Sequence, residues 1–78
     1  MAALEIAKTV DAKGLSCPMP IVKTAQAIKE IPSGALIEVL STDKGSTRDF
    51  AAWARSTGNE IVEQSDEGGV YRFVLRKK

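Results

Sequence analysis

Asp11-Ala-Lys-Gly-Leu-Ser-Cys-Pro-Met-Pro20 holds the chain's only cysteine and two of its three prolines. Directly behind it Ile21, Val22, Ala25 and Ile28 recur at helical spacing, while Lys23, Gln26, Lys29 and Glu30 take the other face. Proline is tolerated in a first helical turn, where its missing N–H has no partner to lose. The residue before a proline is pushed out of the α region. The pattern therefore predicts a helix from Pro18 to Ile31, with Cys17 at the N-cap, Pro18 at N1 and Pro20 at N3. A sulfur at that point faces free backbone N–H groups and the positive end of the helix dipole, which favours the thiolate.

Outward from this helix the pattern changes period. Leu4 to Asp11 reads as a strand, with Lys8 sharing the period of Ile6 and Val10, an imperfection expected at an edge. Gly14 supplies backbone freedom in the loop 12–16. Pro32-Ser33-Gly34 stops the helix, and Ala35 to Leu40 reads as a central strand buried on both faces. Strand, helix, strand with short connections is a right-handed βαβ unit with parallel strands. After a turn-rich loop, Ser46 with Asp49 three residues on resembles a capping box. Phe50, Trp53, Ala54 and Thr57 then share a helical face, with Trp53 as a core anchor, until Gly58 and Asn59 end the helix. Glu60 to Ser65 is a weaker strand, Asp66-Glu-Gly-Gly69 a hairpin turn, and Val70 to Arg76 a strand with Tyr71, Phe73 and Leu75 on one face. The predicted fold is an α/β (α+β) two-layer sandwich, β-α-β-α-β-β, with two helices packed on one face of a mixed four-stranded sheet.

Seventy-eight residues without linker or repeat are expected to form a single domain, 1–78. Net charge is +1, which argues against stable nucleic-acid binding. The basic Arg76-Lys77-Lys78 end reads as a solvated tail that blunts an edge strand. No apolar run reaches the roughly 18 residues of a membrane span, and Met-Ala-Ala-Leu-Glu-Ile lacks the layout of a signal peptide. The cytoplasm is the expected compartment and a monomer the expected state. Histidine is absent, which removes imidazole bases and His metal sites; one cysteine leaves almost no ligands for a zinc or iron–sulfur site. No metal and no cofactor are expected.

The remaining chemistry is a thiol, carboxylates and lysines. Proline at both 18 and 20 leaves the Met19 N–H as the donor best placed to hold the sulfur, with Ile21 behind it. So few donors suit a thiol reached by another protein better than an oxyanion pocket. The competing reading is a small buried hydrophobe, the common fate of a free cysteine. Lys13, Lys23 and Lys44 lie in or near segments expected around Cys17 and could favour its thiolate; alternatively they are solvated lysines. Met19 reads either as an adaptable apolar contact for a partner or as cover for the core edge.

Asp11-x-x-Gly14-Leu15-x-Cys17-Pro18-x-Pro20, followed by an amphipathic helix, resembles the signature of the TusA/SirA-like sulfurtransferase family. Thr42-Asp43-x-Gly45-Ser46, Asp49-Phe50 and Gly58-Asn59 extend the resemblance over essentially the whole chain. It implies the same two-layer fold. It further implies a sulfane sulfur carried as a persulfide on Cys17, received from a cysteine desulfurase or rhodanese-type donor and handed to an acceptor protein. Downstream uses in the family include tRNA thiolation, molybdenum cofactor assembly and sulfur oxidation. Met19 departs from members tied to tRNA thiolation, which often carry an acidic residue between the two prolines.

Two other classes compete. A regulatory or nucleic-acid-binding module would use Arg72, Arg76, Lys77 and Lys78 on a strand face, although no aromatics are interleaved with them. A thiol-redox protein would lack the second cysteine of such sites.

Overall fold

Val70 to Arg76, the clearest alternating stretch of the sequence, lies inside the sheet rather than at its rim. A computed structural model, describing residues 6–16 and 18–78, orders the chain as β1 (Ile6–Ala12), α1 (Met19–Ile28), β2 (Leu36–Ser41), α2 (Ser46–Thr57), β3 (Glu60–Glu67) and β4 (Val70–Arg76). The strands stand in the order β1-β2-β4-β3. β1 and β2 are parallel, joined through α1, while β4 pairs antiparallel with β2 and with β3. This is the expected βαβαββ mixed sheet. The residues at the start of the strand expected from Leu4, and Cys17 itself, lie outside the described residues.

Both helices cover one sheet face. Val10 and Ala12 of β1, Ile37 and Val39 of β2, and Phe73 and Leu75 of β4 meet Ala27 and Ile28 of α1 and Phe50 and Ala54 of α2 in one buried cluster. Phe50 stacks on Phe73 with centroids 4.7 Å apart and takes Trp53 edge-on at 6.2 Å. Trp53 is half-buried against the core, the anchoring place its helical phase predicts.

The other sheet face carries charge, and β2, expected to be buried on both faces, is partly buried on this one, with Leu36 buried and Glu38 and Leu40 half-buried. Glu38 of β2 points there, half-buried, and accepts hydrogen bonds from Arg72 of β4 and Thr9 of β1. Arg72 also donates to Glu63 of β3, and Val74 lies fully buried among these groups. Arg76 pairs with Glu60 at 2.9 Å. The aliphatic stems of such residues cover apolar sheet while their heads stay in contact with water.

Helix α1 is rotated from its predicted phase. Its buried residues are Pro20, Thr24, Ala27 and Ile28, whereas Val22 is 37% exposed. Thr24 reads as polar in a hydrophobic pattern, but its hydroxyl donates to the Pro20 carbonyl at 2.8 Å. Its methyl can then face the core at no cost in unmet hydrogen bonds. The helix also stops at Ile28 rather than Ile31, because Glu30 and Ile31 N–H turn to carbonyls three residues back and tighten the last turn.

Two further boundaries move for backbone reasons. Consecutive glycines at 68 and 69 both have positive φ, so the hairpin turn needs only two residues and β3 stays paired through Glu67 opposite Val70. At the C-terminus, β4 is flanked by β2 and β3, so residues 76–78 blunt no edge. Lys77 instead exchanges backbone hydrogen bonds with Gly34 and Ala35, and its ammonium donates to the Ile31 carbonyl at 2.7 Å. The edges are β1 and β3, and on β1 the out-of-pattern Lys8 pairs with Glu30.

Candidate functional site

The segment between β1 and α1 is a chain of short turns. Lys13 N–H donates to the Asp11 carboxylate at 3.1 Å, and Leu15 N–H to the Ala12 carbonyl at 3.2 Å. Gly14 sits between them with φ +83, a conformation in which a Cβ would be strained. Leu15 packs against the core cluster, and Ser16 is exposed. Met19 N–H donates to the Ser16 carbonyl at 2.9 Å, which closes a tight turn over positions 16–19. Val22 N–H to the Pro18 carbonyl at 3.0 Å is a first helical bond. Pro18 and Met19 are exposed and Pro20 is buried. Ser16, Pro18 and Met19, on either side of position 17, are thus exposed, while Pro20 is pinned into the core.

Two expectations about this turn are corrected. The N-cap of α1 is Pro18, with φ −97 and ψ 13, so the helix begins at Met19 and Cys17 precedes the cap by one residue. Pro20 falls at N2 instead of N3. The Met19 N–H, expected to hold the sulfur, is taken by the Ser16 carbonyl. The reason is local: once the 16–19 turn closes, its own hydrogen bond consumes the donor that an N-cap side chain at 17 would have used.

The start of α2 departs in the same manner. Gly45 is its N-cap and Ser46 is the first helical residue, so no capping box forms. The Ser46 hydroxyl turns inward to Ser41 at 2.5 Å, and Ser41 Oγ also accepts from the Asp43 N–H at 3.2 Å. Both serines are buried, where a hydroxyl needs a partner more than the solvent-facing cap does.

Of the three lysines singled out in the sequence, Lys23 reaches the Asp11 carbonyl at 3.4 Å, next to the turn that leads to Cys17. Lys13 is exposed within that turn. Lys44 is exposed in the loop between β2 and α2, beside an open depression lined by Gly45, Thr47, Arg48 and Asp49. The two loops meet: Gly14 N–H donates to Thr42 Oγ1 at 2.8 Å. Among the described residues, Met19, 45% exposed, and Val22 are the large hydrophobic side chains left open, one helical turn apart.

The family model "Sulfurtransferase TusA" matches residues 8–77. This chain belongs to the TusA family. A candidate sulfur carrier of Bacillus subtilis, YrkI, is 50% identical over 70 residues, which span 90% of this chain and 93% of that protein. The sulfur carrier protein TusA of Allochromatium vinosum is 43% identical over 68 residues, 87% of this chain and 90% of its own. Among solved structures, the SirA-like protein of Desulfitobacterium hafniense superposes with a TM-score of 0.77 at 25% identity, over 88% of this chain and 95% of that one.

Of the four basic residues named for a nucleic-acid module, Arg72 and Arg76 face glutamates and the Lys77 ammonium donates to a carbonyl. Sequence reasoning missed Thr42, Ser41 and Ser46 as parts of the site's frame. Their signal was present in Thr42-Asp43-x-Gly45-Ser46, but turn propensity alone does not say which hydroxyl points inward. No helix among the described residues is long and apolar enough to cross a membrane.

Proposed function

We propose that this protein is a sulfur carrier in which Cys17 takes and passes on a sulfane sulfur. The observation that carries the reading is the TusA match across residues 8–77, within which Cys17 is the chain's sole thiol. The exposure of Ser16, Pro18 and Met19 on either side of position 17 supports it, because both donor and acceptor must reach the sulfur.

The chemistry runs in two balanced exchanges. The Cys17 thiolate attacks the terminal sulfur of a donor protein's persulfide; a new S–S bond forms, the donor's S–S bond breaks, and the donor cysteine leaves as a thiolate. An acceptor thiolate then attacks the terminal sulfur on Cys17, and Cys17 leaves as a thiolate. Each step moves one sulfur atom without net oxidation. With no second cysteine, the chain cannot expel its cargo by closing an internal disulfide. Cysteine desulfurases and rhodanese-type proteins are the donor classes that present such a persulfide. Lys13, Lys23 and Lys44 favour the thiolate by charge, and Met19 with Val22 offers the donor an apolar landing beside it.

Incubation with a cysteine desulfurase and cysteine, without reductant, tests this by intact mass. The wild type should gain the mass of one sulfur atom and Cys17→Ser should not. Equal masses for the two proteins after incubation overturn the proposal.

A further inference from the structure

We infer that Thr42 is a positioning residue for Cys17, holding the turn that presents the thiol through a single side-chain contact from the opposite loop. The inference rests on the sulfur-carrier reading above. Gly14 and Thr42 are 28 residues apart in sequence, yet Gly14 N–H donates to Thr42 Oγ1 at 2.8 Å. Gly14 is the left-handed hinge where the chain leaves β1, three residues before Cys17. An exposed loop N–H usually bonds water, which leaves the loop free to move. Here a side chain from another element takes that place.

Thr42 can do this because its own base is rigid. Ser41 before it is fully buried and is bonded through Oγ to Ser46 and to the Asp43 N–H. Ser46 N–H returns to the Asp43 carbonyl at 3.0 Å. Residues 41, 43 and 46 close a small knot at the start of α2, and Thr42, exposed, projects from it. The cysteine-bearing segment is thus held by β1 behind, buried Pro20 ahead and, between them, Leu15 packed against the core and Gly14 bonded to Thr42. Loss of the Thr42 contact frees the start of this segment, and the reactivity of the thiol it carries then averages toward that of a free thiol.

The test compares the full-length wild type with Thr42→Val, which keeps the shape and removes the hydroxyl, and Thr42→Ser, which restores it. Three readouts are taken: Gly14 amide exchange by NMR, the pH profile of Cys17 alkylation by iodoacetamide, and sulfur uptake from a cysteine desulfurase. Thr42→Val should speed Gly14 exchange about fivefold, the population shift of one modest hydrogen bond. It should also move the alkylation profile toward that of a free thiol and slow uptake, with a melting temperature lowered by no more than the several degrees that one hydrogen bond accounts for. Thr42→Ser should recover all three. An alkylation profile that superposes on the wild type in Thr42→Val, or that Thr42→Ser fails to restore, overturns the inference. Should wild type take up no sulfur while Thr42→Val still shifts the alkylation profile, the carrier reading falls and the positioning role of Thr42 stands. If Thr42→Val does not fold, Gly14 exchange in the wild type decides alone, since an unprotected amide there refutes the contact.

Discussion

Arg72 on β4 and Glu38 on β2 are joined side chain to side chain on the sheet face that no helix covers. The pair is partly withdrawn from water, with side chains 31% and 20% exposed, and Arg72 is steadied by a second carboxylate, Glu63. The hydrogen bond from Arg72 holds the Glu38 carboxyl below its ordinary value of 4.5, against the opposing push of burial. A carboxylate with a lowered folded pKa adds stability above its unfolded pKa and loses it as pH falls through the folded value. Glu38→Gln should therefore cost about 1 kcal/mol at neutral pH and almost nothing at about pH 2. Urea midpoints of the two proteins at both pH values check this, and a gap that stays constant with pH would sink it.

Ser41 and Ser46 satisfy each other inside the fold, and either one alone is a liability. Ser46→Ala leaves the buried Ser41 hydroxyl without its side-chain partner and should cost about 1–2 kcal/mol. Adding Ser41→Ala removes the stranded group, so the double variant should lose less than the sum of the two singles, with a coupling of about 1 kcal/mol. Chemical denaturation of the four proteins in the cycle measures it. Additive losses would mean that the hydroxyls act separately.

The architecture was legible because each segment's periodicity agreed with its punctuation. Gly58 stops α2 in the left-handed conformation its placement predicts, and Tyr71, Phe73 and Leu75 face the helices as their alternation requires. Three of the failures share one cause: a polar or proline-adjacent residue whose hydrogen bond is made somewhere sequence spacing does not reveal. Thr24 hides its hydroxyl on Pro20 and so joins the core; Ser46 prefers Ser41 to its own cap; Met19 N–H prefers Ser16 to the sulfur. The site was legible as a motif but not as a frame, since the contact between Gly14 and Thr42 is a product of topology. Parallel β1 and β2, with Ala12 opposite Ser41, bring those two loops side by side.

Gly58 offers a test of backbone strain apart from contact. Its φ is +82, and an added Cβ would lie 2.7 Å from the Lys78 side chain, which is flexible enough to move away. The left-handed conformation therefore sets the cost, and Gly58→Ala should lose about 1–2 kcal/mol. Gly58→Asn should lose less, because asparagine tolerates this region. Adding Lys78→Ala to Gly58→Ala should not recover the loss in a urea melt; recovery would assign it to the clash.

Met19 and Val22 bear on how a donor finds the thiol. Both are exposed and a helical turn apart, so neutral polar replacements disturb neither the core nor the local charge. Met19→Gln with Val22→Gln should leave stability within about 0.5 kcal/mol of wild type. Iodoacetamide, a small reagent with no need of a docking surface, should alkylate Cys17 at the wild-type rate. Sulfur uptake from a cysteine desulfurase below saturation should fall about tenfold, the loss expected when an interface surrenders apolar contacts worth about 1.4 kcal/mol. The split between the two reagents carries the argument. If alkylation and uptake decline together, these residues shape the thiol and not the encounter; if neither declines, the donor lands elsewhere.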